Sequence, residues 1–391
     1  MPPLDGTLVV SLEQAVAAPF ATRQLADLGA RVVKIERPGG GDFARHYDTT
    51  VDGSSSYFVW TNRSKQSITL DLKNPDGAVV LSRLLDKADV FIYNLAPGAV
   101  DRLGLSDIRS RLPRLITCSI TGYGPDGPLH DRKAYDLLIQ AEAGLMSITG
   151  TDESPSRVGV SVADIAAGMY AFSGILTALL HRHQTGEGVH IEVSLLDSLA
   201  EWVSQPAYFA HYGGDAPPRS GPYHATIAPY GPVLTGEGDT LLIGLQNERE
   251  WSSFCRLVLE LPELETDERF DSNPKRVANR LALQEEMNRS FGALSTDAAT
   301  GLLREAGIAF GRMRGVEELV EHPQLRARGR WQPLPTAGGK EIEALLPPVT
   351  SDAWDHVMGP VPSLGEHTET ILEELGYQRE ALARLRDAKA I

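Results

Sequence analysis

Hydrophobic residues in the first half of the chain fall into short runs separated by amphipathic segments. Residues 7–12, 31–36 and 90–93 are rich in Val, Ile and Leu, which is typical of strands. Residues 19–28 and 76–88 instead place apolar side chains at helical spacing. Strands that alternate with helices predict an α/β fold, in which a parallel sheet is covered by helices on both faces.

A long apolar segment follows this alternation. Residues 164–183 predict a helix with small side chains near its start, and residues 190–195 alternate like a strand. Residues 213–232 are rich in Gly, Pro and Tyr, which indicates a linker or an active-site loop. Residues 233–320 predict a smaller α+β unit, and residues 371–386 predict one charged C-terminal helix.

The length of 391 residues predicts two domains, because a single hydrophobic core usually stops growing at roughly 250–300 residues. We place the large domain at residues 1–212 and the linker with the small α+β domain at residues 213–320. Residues 321–391 form a C-terminal segment.

The net charge of -15 is unevenly distributed along the chain. Residues 1–150 hold 16 basic and 17 acidic side chains, so nearly all of the negative charge lies beyond them. An anionic ligand therefore meets less repulsion in the N-terminal part. The acidic total argues against nucleic acid as a partner, since nucleic-acid binding needs a basic surface.

Cysteine usage and the chain start indicate the compartment. Cys118 and Cys255 are far apart and form no C-x-x-C motif, which favours a reducing, cytoplasmic environment. The N-terminus has no basic region followed by an apolar region, so we expect no signal peptide. We also expect no membrane span, because the chain has no uncharged apolar stretch of about 18 residues.

Two motifs suggest ligands that their context does not favour. Residues 122–127 match G-x-G-x-x-G, but Pro125 and Pro128 interrupt the helix that a dinucleotide site requires, so a tight turn is the better interpretation. His181 and His183 have a spacing that points them in different directions on a helix. We therefore expect no metal site.

Asp164 lies at the start of the long apolar helix and has two interpretations. An aspartate at a helix N-terminus commonly caps it and is stabilised by the helix dipole. The small residues that follow, 166–168, would also let a bulky ligand approach. A carboxylate partly desolvated by apolar neighbours can act as a nucleophile.

A series of short segments, in a specific order and spacing, resembles the family III CoA transferases, a group that includes formyl-CoA:oxalate CoA transferases and is related to the α-methylacyl-CoA racemases. The resemblance covers nearly the whole chain. The segments are 17–20, 25–30, 33–38, 67–73, 97–98, 101–104, 122–124, 135–136, 144–146, 161–168, 228–230 and 322–323.

The resemblance implies a covalent mechanism on Asp164, which matches the catalytic aspartate of the family. An aspartyl-CoA thioester would carry CoA between carboxylic acids, with the acyl-CoA as substrate and no permanently bound cofactor or metal. The resemblance also places a set of residues at the CoA site: Arg37, Asn94, Arg102, Lys133, Tyr135 and Val16. Arg and Lys are the natural partners of the CoA phosphates.

The family fold implies a Rossmann-like large domain completed by the C-terminal segment, a small domain, and two chains interlocked as a homodimer. The racemase alternative remains open. Racemases of the superfamily carry a catalytic histidine where this chain has Tyr135, so the second acid/base that α-proton exchange needs is missing.

The segment 13–19 looks most like that of transferases acting on short dicarboxylic acids, such as itaconate, mesaconate or citramalate with succinyl-CoA. We hypothesise that Arg45 or His46, which follow the glycine turn 39–41, pairs with the distal carboxylate of such an acid.

Overall fold

The computed structural model describes residues 1–336 and 338–391, which form two compact units. Unit 1 consists of Met1–Ala143, Val158–Ser204 and Gln324–Ile391, and unit 2 consists of Gly144–Arg157 and Gln205–Pro323. Relative to the domain boundaries expected from the sequence, residues 144–157 and 205–212 group with unit 2.

A parallel sheet forms the centre of unit 1. Its strands are β1 (Leu8–Leu12), β2 (Arg31–Glu36), β3 (Lys65–Thr69), β4 (Val90–Tyr93), β5 (Ile116–Thr121) and β6 (His190–Ser194). In the described part of the unit they run in the order β3-β2-β1-β4-β5-β6, all parallel. This confirms the parallel α/β sheet. The order reverses between β1 and β4, and open sheets of this kind bind ligands at the carboxyl ends beside such a reversal.

Helices connect and cover the strands. In chain order they are α1 (Ala17–Asp27), α2 (Ser56–Asn62), α3 (Pro75–Leu85), α4 (Ala99–Arg102), α5 (Ile108–Arg111), α6 (Asp136–Glu142), α7 (Leu145–Ile148), α8 (Val162–Thr185), α9 (Leu195–Gly213), α10 (Glu248–Ser253), α11 (Asn273–Ala278), α12 (Arg280–Phe291), α13 (Thr296–Glu305), α14 (Pro323–Ala327), α15 (Thr368–Glu374) and α16 (Arg379–Asp387). The remaining strands are β7 (Tyr230–Leu234), β8 (Thr240–Gly244), β9 (Ala309–Arg312), β10 (Trp331–Pro335) and β11 (Glu341–Leu345).

The C-terminal segment contributes to the core of unit 1. Ile371, Leu372, Leu382 and Leu385 are buried in the same hydrophobic cluster as residues of β1 to β4. The single helix expected over residues 371–386 is wrong: the structure has α15 and α16, with Gly376 between them at a φ of 87°. This left-handed conformation favours glycine and ends a helix.

Unit 2 has its own sheet and core. Strands β7, β8 and β9 form an antiparallel sheet, and helices α10 to α13 pack a second cluster that contains Trp251, Phe254 and Phe291. The mixture of antiparallel strands and helices is the α+β arrangement expected for residues 233–320.

Helix α8 differs from one expectation drawn from the sequence. It has 24 residues and contains an 18-residue stretch with a mean hydropathy of 1.5, which meets the length and composition of a membrane span, whereas no such segment was expected. Within unit 1 the helix packs against α1, α6, β5 and β6, and Ala163, Ala167, Ala171 and Ile175 are buried. Such a packed face is what the core helix of a layered α/β fold presents.

Candidate active site

A cavity of about 470 Å³ opens at the carboxyl ends of β1, β2 and β3, beside the reversal of strand order. Its lining includes Leu12, Ile35 and Leu70 at the strand ends. Exposed cations on its rim are Arg37, Lys73 and Arg102. The structure thus brings Arg37 and Arg102 to one cavity and adds Lys73, which the sequence analysis did not select.

Two other residues of the expected CoA set lie in different surroundings. The Asn94 side chain is paired with the Gln14 backbone, accepting from its N–H at 2.9 Å and donating to its carbonyl at 2.8 Å. Val16 is buried and begins α1. Asn94 therefore ties the carboxyl ends of β1 and β4 together, and Val16 positions the first turn of α1.

Lys133 and Tyr135 precede α6 and are both exposed. The Tyr135 side chain is 65% exposed, so its ring is available to a ligand. Lys133 is outside the lining of the 470 Å³ cavity. Their part in binding CoA stays a prediction.

Asp136, the first residue of α6, supplies the acceptor for the start of α8. Its Oδ1 accepts from the Ala163 N–H at 2.8 Å, and its Oδ2 accepts from Gln140 Nε2 at 2.7 Å. Asp164, two residues into α8, is therefore not needed as a cap. The side-chain acceptor at the start of α8 is Asp136, 28 positions before Asp164, whereas Asp164 lies in the first turn of the helix, where the helix dipole favours a carboxylate.

The environment of Asp164 disfavours its charged form. Burial, and then the negative charge of Asp136, raise the pKa of Asp164 to about 7. A carboxyl group with such a pKa is partly ionised near neutrality and more basic than an ordinary aspartate. Both properties suit a carboxylate nucleophile, and strongly shifted values concentrate at functional sites.

Aromatic residues lie close to this carboxyl group. Tyr47 packs edge-on against Tyr57, with ring centroids 5.4 Å apart, and contacts Phe43 on its other side. Burial, followed by the charges of Asp42 and Asp164, raises the pKa of Tyr47 to about 12. Tyr47 is thus a neutral hydroxyl near Asp164, and the sequence analysis missed it because nothing in its local motif distinguishes it.

The two residues expected to bind a distal carboxylate differ in availability. The Arg45 guanidinium forms a two-pronged pair with Glu36, at 2.8 and 2.7 Å, and stacks on the Phe58 ring. His46 is exposed and bonds through Nε2 to the Gly40 carbonyl at 3.1 Å. Glu36 already neutralises Arg45, so His46 is the more available of the two.

Close packing of α1 on α8 fixes the position of Asp164. A Cβ at Gly168 would lie 2.7 Å from the Ala17 carbonyl oxygen and 3.0 Å from the Phe20 ring. Gly168 is one helical turn after Asp164. Its missing side chain therefore lets the first turn of α1 approach α8 beside the carboxyl group.

Known proteins resemble this chain over nearly its whole length. The sequence profile of CoA-transferase family III matches residues 4–368. The chain belongs to CoA-transferase family III. It is 36% identical to the succinyl-CoA:glutarate CoA-transferase of Mus musculus, covering 98% of this chain and 89% of that protein. It is 35% identical to the succinate–glutarate CoA-transferase of Agrobacterium fabrum, with 96% of each covered.

A crystal structure of a CaiB/BaiF family protein from Brucella suis has the same fold. It superposes with a TM-score of 0.85 at 35% identity, covering 95% of this chain and 99% of that one. The resemblance to family III transferases is confirmed, and the racemase alternative is not better supported. In residues 1–336 and 338–391, no group of three or more His, Cys, Asp and Glu side chains could hold a metal ion.

Proposed function

We propose that this family III enzyme transfers CoA from succinyl-CoA to a short dicarboxylic acid through a covalent intermediate on Asp164. Glutarate is the first acceptor to test, because the relatives from Mus musculus and Agrobacterium fabrum are named for it. The observation that carries the proposal is the environment of the Asp164 carboxyl group. Asp136 supplies the acceptor at the start of α8 in its place, and burial raises the pKa of Asp164, which makes its carboxylate more basic.

The reaction is a sequence of acyl exchanges. An Asp164 oxygen attacks the thioester carbonyl of succinyl-CoA, and the C–S bond breaks. CoA departs as the thiolate, and a mixed anhydride of Asp164 and succinate forms. The thiolate attacks the aspartyl carbonyl, which releases succinate and forms aspartyl-CoA. The acceptor carboxylate attacks this thioester and displaces the thiolate, which gives a mixed anhydride of Asp164 and the acceptor. The thiolate then attacks the acceptor carbonyl of that anhydride, which forms the new acyl-CoA and regenerates Asp164. One thioester replaces another with no net proton transfer, so the cycle requires no metal or ATP.

The cavity of about 470 Å³ supports a role in holding CoA. Arg37, Lys73 and Arg102 line it together with apolar strand ends. A cationic rim suits the phosphates of CoA, and an apolar floor suits its adenine. We propose that Asn94, Lys133 and Tyr135 serve the same substrate from neighbouring segments, and that Val16 holds the α1 turn.

The distal carboxylate of the acceptor is assigned to His46 or Arg45. Because Glu36 pairs with Arg45, replacing His46 should have the larger selective effect. His46→Ala should raise KM for glutarate more than for butyrate. An equal loss with both acids would remove His46 from the recognition of the dicarboxylate.

The deciding experiment is to trap the covalent intermediate. The protein is incubated with succinyl-CoA, treated with hydroxylamine or borohydride, and mapped by mass spectrometry. Modification confined to Asp164, and absent from Asp164→Asn, supports the transferase. An unmodified Asp164 across several acyl-CoA donors would turn attention to α-proton exchange of a 2-methylacyl-CoA in deuterated water.

We further propose that the enzyme works as a cytoplasmic homodimer. Exposed aromatic side chains along α9 support an interface: Trp202, Tyr208, Phe209 and Tyr212. Cys118 and Cys255 are free buried thiols, as a reducing compartment allows. Light scattering on the purified 42.4 kDa chain should give a mass of about two chains, and a monomer would contradict the dimer.

A further inference from the structure

Four ionisable side chains lie together in the solvent-excluded interior at the 470 Å³ cavity, and two of them, Glu13 and Asp42, also line it. Lys34 Nζ is 2.8 Å from Asp42 Oδ2 and 3.3 Å from Glu13 Oε1, and Lys65 Nζ is 2.7 Å from the same Glu13 oxygen. We name Glu13, Lys34, Asp42 and Lys65 the buried ion cluster. It contains two lysines and two carboxyl groups, and each of its side chains is 0% exposed or nearly so. Burial lowers the pKa of Lys65 to about 7.

The stability of the fold does not account for such a cluster. Burying ion pairs carries a desolvation penalty that often exceeds their attraction, and apolar residues of similar volume commonly stabilise a core as well. Buried ionic groups can instead select one conformation of the chain around them. The cluster is therefore best explained by the conformation that it holds.

The conformation in question is that of the loop between β1 and α1, residues 13–16. Asp42 Oδ1 accepts from the Ala15 N–H at 3.1 Å, and Ala15 has a φ of 61°. Left-handed backbone is unfavourable for a residue with a Cβ, and it persists only where the surroundings enforce it. The Asn94 side chain forms two hydrogen bonds with the backbone of the adjacent Gln14.

Both ends of this loop reach the candidate active site. Glu13 and Gln14 line the cavity. At the other end, Val16 begins α1, whose Ala17 lies against Gly168 of α8, one turn from Asp164. The loop thus connects the CoA cavity to the backbone that packs beside the carboxyl nucleophile.

We propose that Asp42, held in place by Lys34, is a positioning residue for CoA transfer. By bonding the Ala15 N–H it keeps loop 13–16 in its left-handed conformation, and through that loop it aligns the first turn of α1 with Asp164. The proposal rests on the transferase function above. Asp42 also lines the cavity, and its Oδ1 accepts from the Ala44 N–H at 2.9 Å as well. The positioning effect proposed here acts through the backbone of residue 15.

A double variant tests this mechanism. Asp42→Ala should lower kcat by at least about tenfold, whereas the Kd for CoA changes less, because Lys73 and Arg102 line the cavity from other segments. Glycine adopts positive φ without a Cβ penalty. Ala15→Gly combined with Asp42→Ala should therefore recover a substantial part of the lost kcat, although Ala15→Gly alone changes it little.

A matched control is available in unit 1. Asp27 is equally buried and binds two cations, Arg23 at 2.6 Å and Arg63 at 2.8 Å. Asp27→Ala should lower the Tm, with kcat per folded molecule retained. If Asp42→Ala does not fold, Asp42→Asn serves in its place. Its Oδ1 can still accept from Ala15, while its amide cannot neutralise Lys34, so a smaller kcat loss with the same rescue is expected.

The outcomes separate the inference from the proposed function. If the unaltered protein transfers no CoA, the proposed function fails. If it transfers CoA and Asp42→Ala keeps the same kcat, the positioning role is wrong. A kcat loss in Asp42→Ala that Ala15→Gly does not relieve would also overturn it, because Asp42 would then act by a route other than residue 15.

Discussion

Two aspartates near the start of α8 have different roles because their neighbours differ. Asp136 accepts hydrogen bonds from the Ala163 backbone and from Gln140. Asp164 faces burial and the charge of Asp136, which favour its neutral form. A strongly raised carboxyl pKa of this kind is typical of catalytic sites. Asp136 therefore holds the start of α8, and Asp164 is the candidate nucleophile.

The raised pKa of Asp164 predicts a pH dependence of its acylation. Below pH 7 the carboxyl group is mostly protonated and cannot attack, so the single-turnover rate with succinyl-CoA should rise through a midpoint at about 7. Asp136→Asn removes the neighbouring negative charge and should move that midpoint to lower pH, although burial remains. Rapid-quench assays between pH 5 and 9 measure both. A flat profile, or an upward shift in Asp136→Asn, would contradict the assignment.

The same pKa predicts how the free energy of unfolding depends on pH. The dependence has the opposite sign to that of an aspartate paired with a cation. The folded-state pKa of about 7 lies above the ordinary value of 3.8 for an aspartate, so folding favours the neutral acid. That contribution is complete below pH 3.8 and is lost as pH rises through 7. The Asp164→Asn side chain cannot ionise. The Tm of this variant minus the Tm of the unaltered protein should therefore increase as pH rises from 5 to 8. A Tm difference independent of pH would refute this.

At the scale of elements, the α1–α8 contact determines where Asp164 lies. Gly168→Ala places a methyl group 2.7 Å from the Ala17 carbonyl oxygen, so α1 must shift. We expect a loss of about 1–3 kcal/mol in the free energy of unfolding, together with a lower kcat. Chemical denaturation and steady-state assays measure these effects.

Gly174→Ala is the matched control on the same helix. Its Cβ would meet only the Ile191 side chain, at 3.3 Å, which can adjust. It should be close to the unaltered protein in both stability and kcat. Equal effects of the two substitutions would show that helix α8 responds to any added methyl group and that the Ala17 contact has no special role.

Elements set by local periodicity could be predicted, and contacts between distant residues could not. Strands β1, β2 and β4 and helix α8 follow from runs of Val, Ile and Leu and from apolar spacing. Periodicity alone merged α15 and α16, because it ignores the left-handed Gly376. The sequence pattern selected Asp164 as a cap or a nucleophile, and the resemblance implied the nucleophile. The role of Asp136 as the acceptor at the start of α8 could not be predicted, because its contacts join residues that are 27 and 28 positions apart.

The buried ion cluster shows the same limit more strongly. Glu13 and Lys65 are 52 positions apart, and each looks like an ordinary surface charge in sequence. The sheet order places β1, β2 and β3 side by side, so the long Lys65 side chain, from the first residue of β3, reaches the Glu13 carboxylate just after β1. Charges that are expected on the surface therefore carry little information until the sheet topology is known.

At the scale of the whole molecule, each unit has its own hydrophobic core, and the chain contributes to the first core from both ends. Leu372, fully buried, packs with residues of β1 to β4 although it lies in the last 20 residues. Leu303, also fully buried, belongs to the core of unit 2. The two leucines offer a reciprocal test of whether the C-terminal segment is structural for unit 1.

Leu372→Ala removes buried methyl groups and should cost about 2–5 kcal/mol of unfolding free energy. Hydrogen exchange followed by mass spectrometry should show faster exchange in β1 to β4, with β7 to β9 little changed, since local stability follows the core that supports each segment. Leu303→Ala should produce the reverse pattern. If both substitutions accelerate exchange throughout the chain, the units unfold as one cooperative body. If Leu372→Ala leaves β1 to β4 protected, the C-terminal segment is dispensable for the sheet that forms the 470 Å³ cavity.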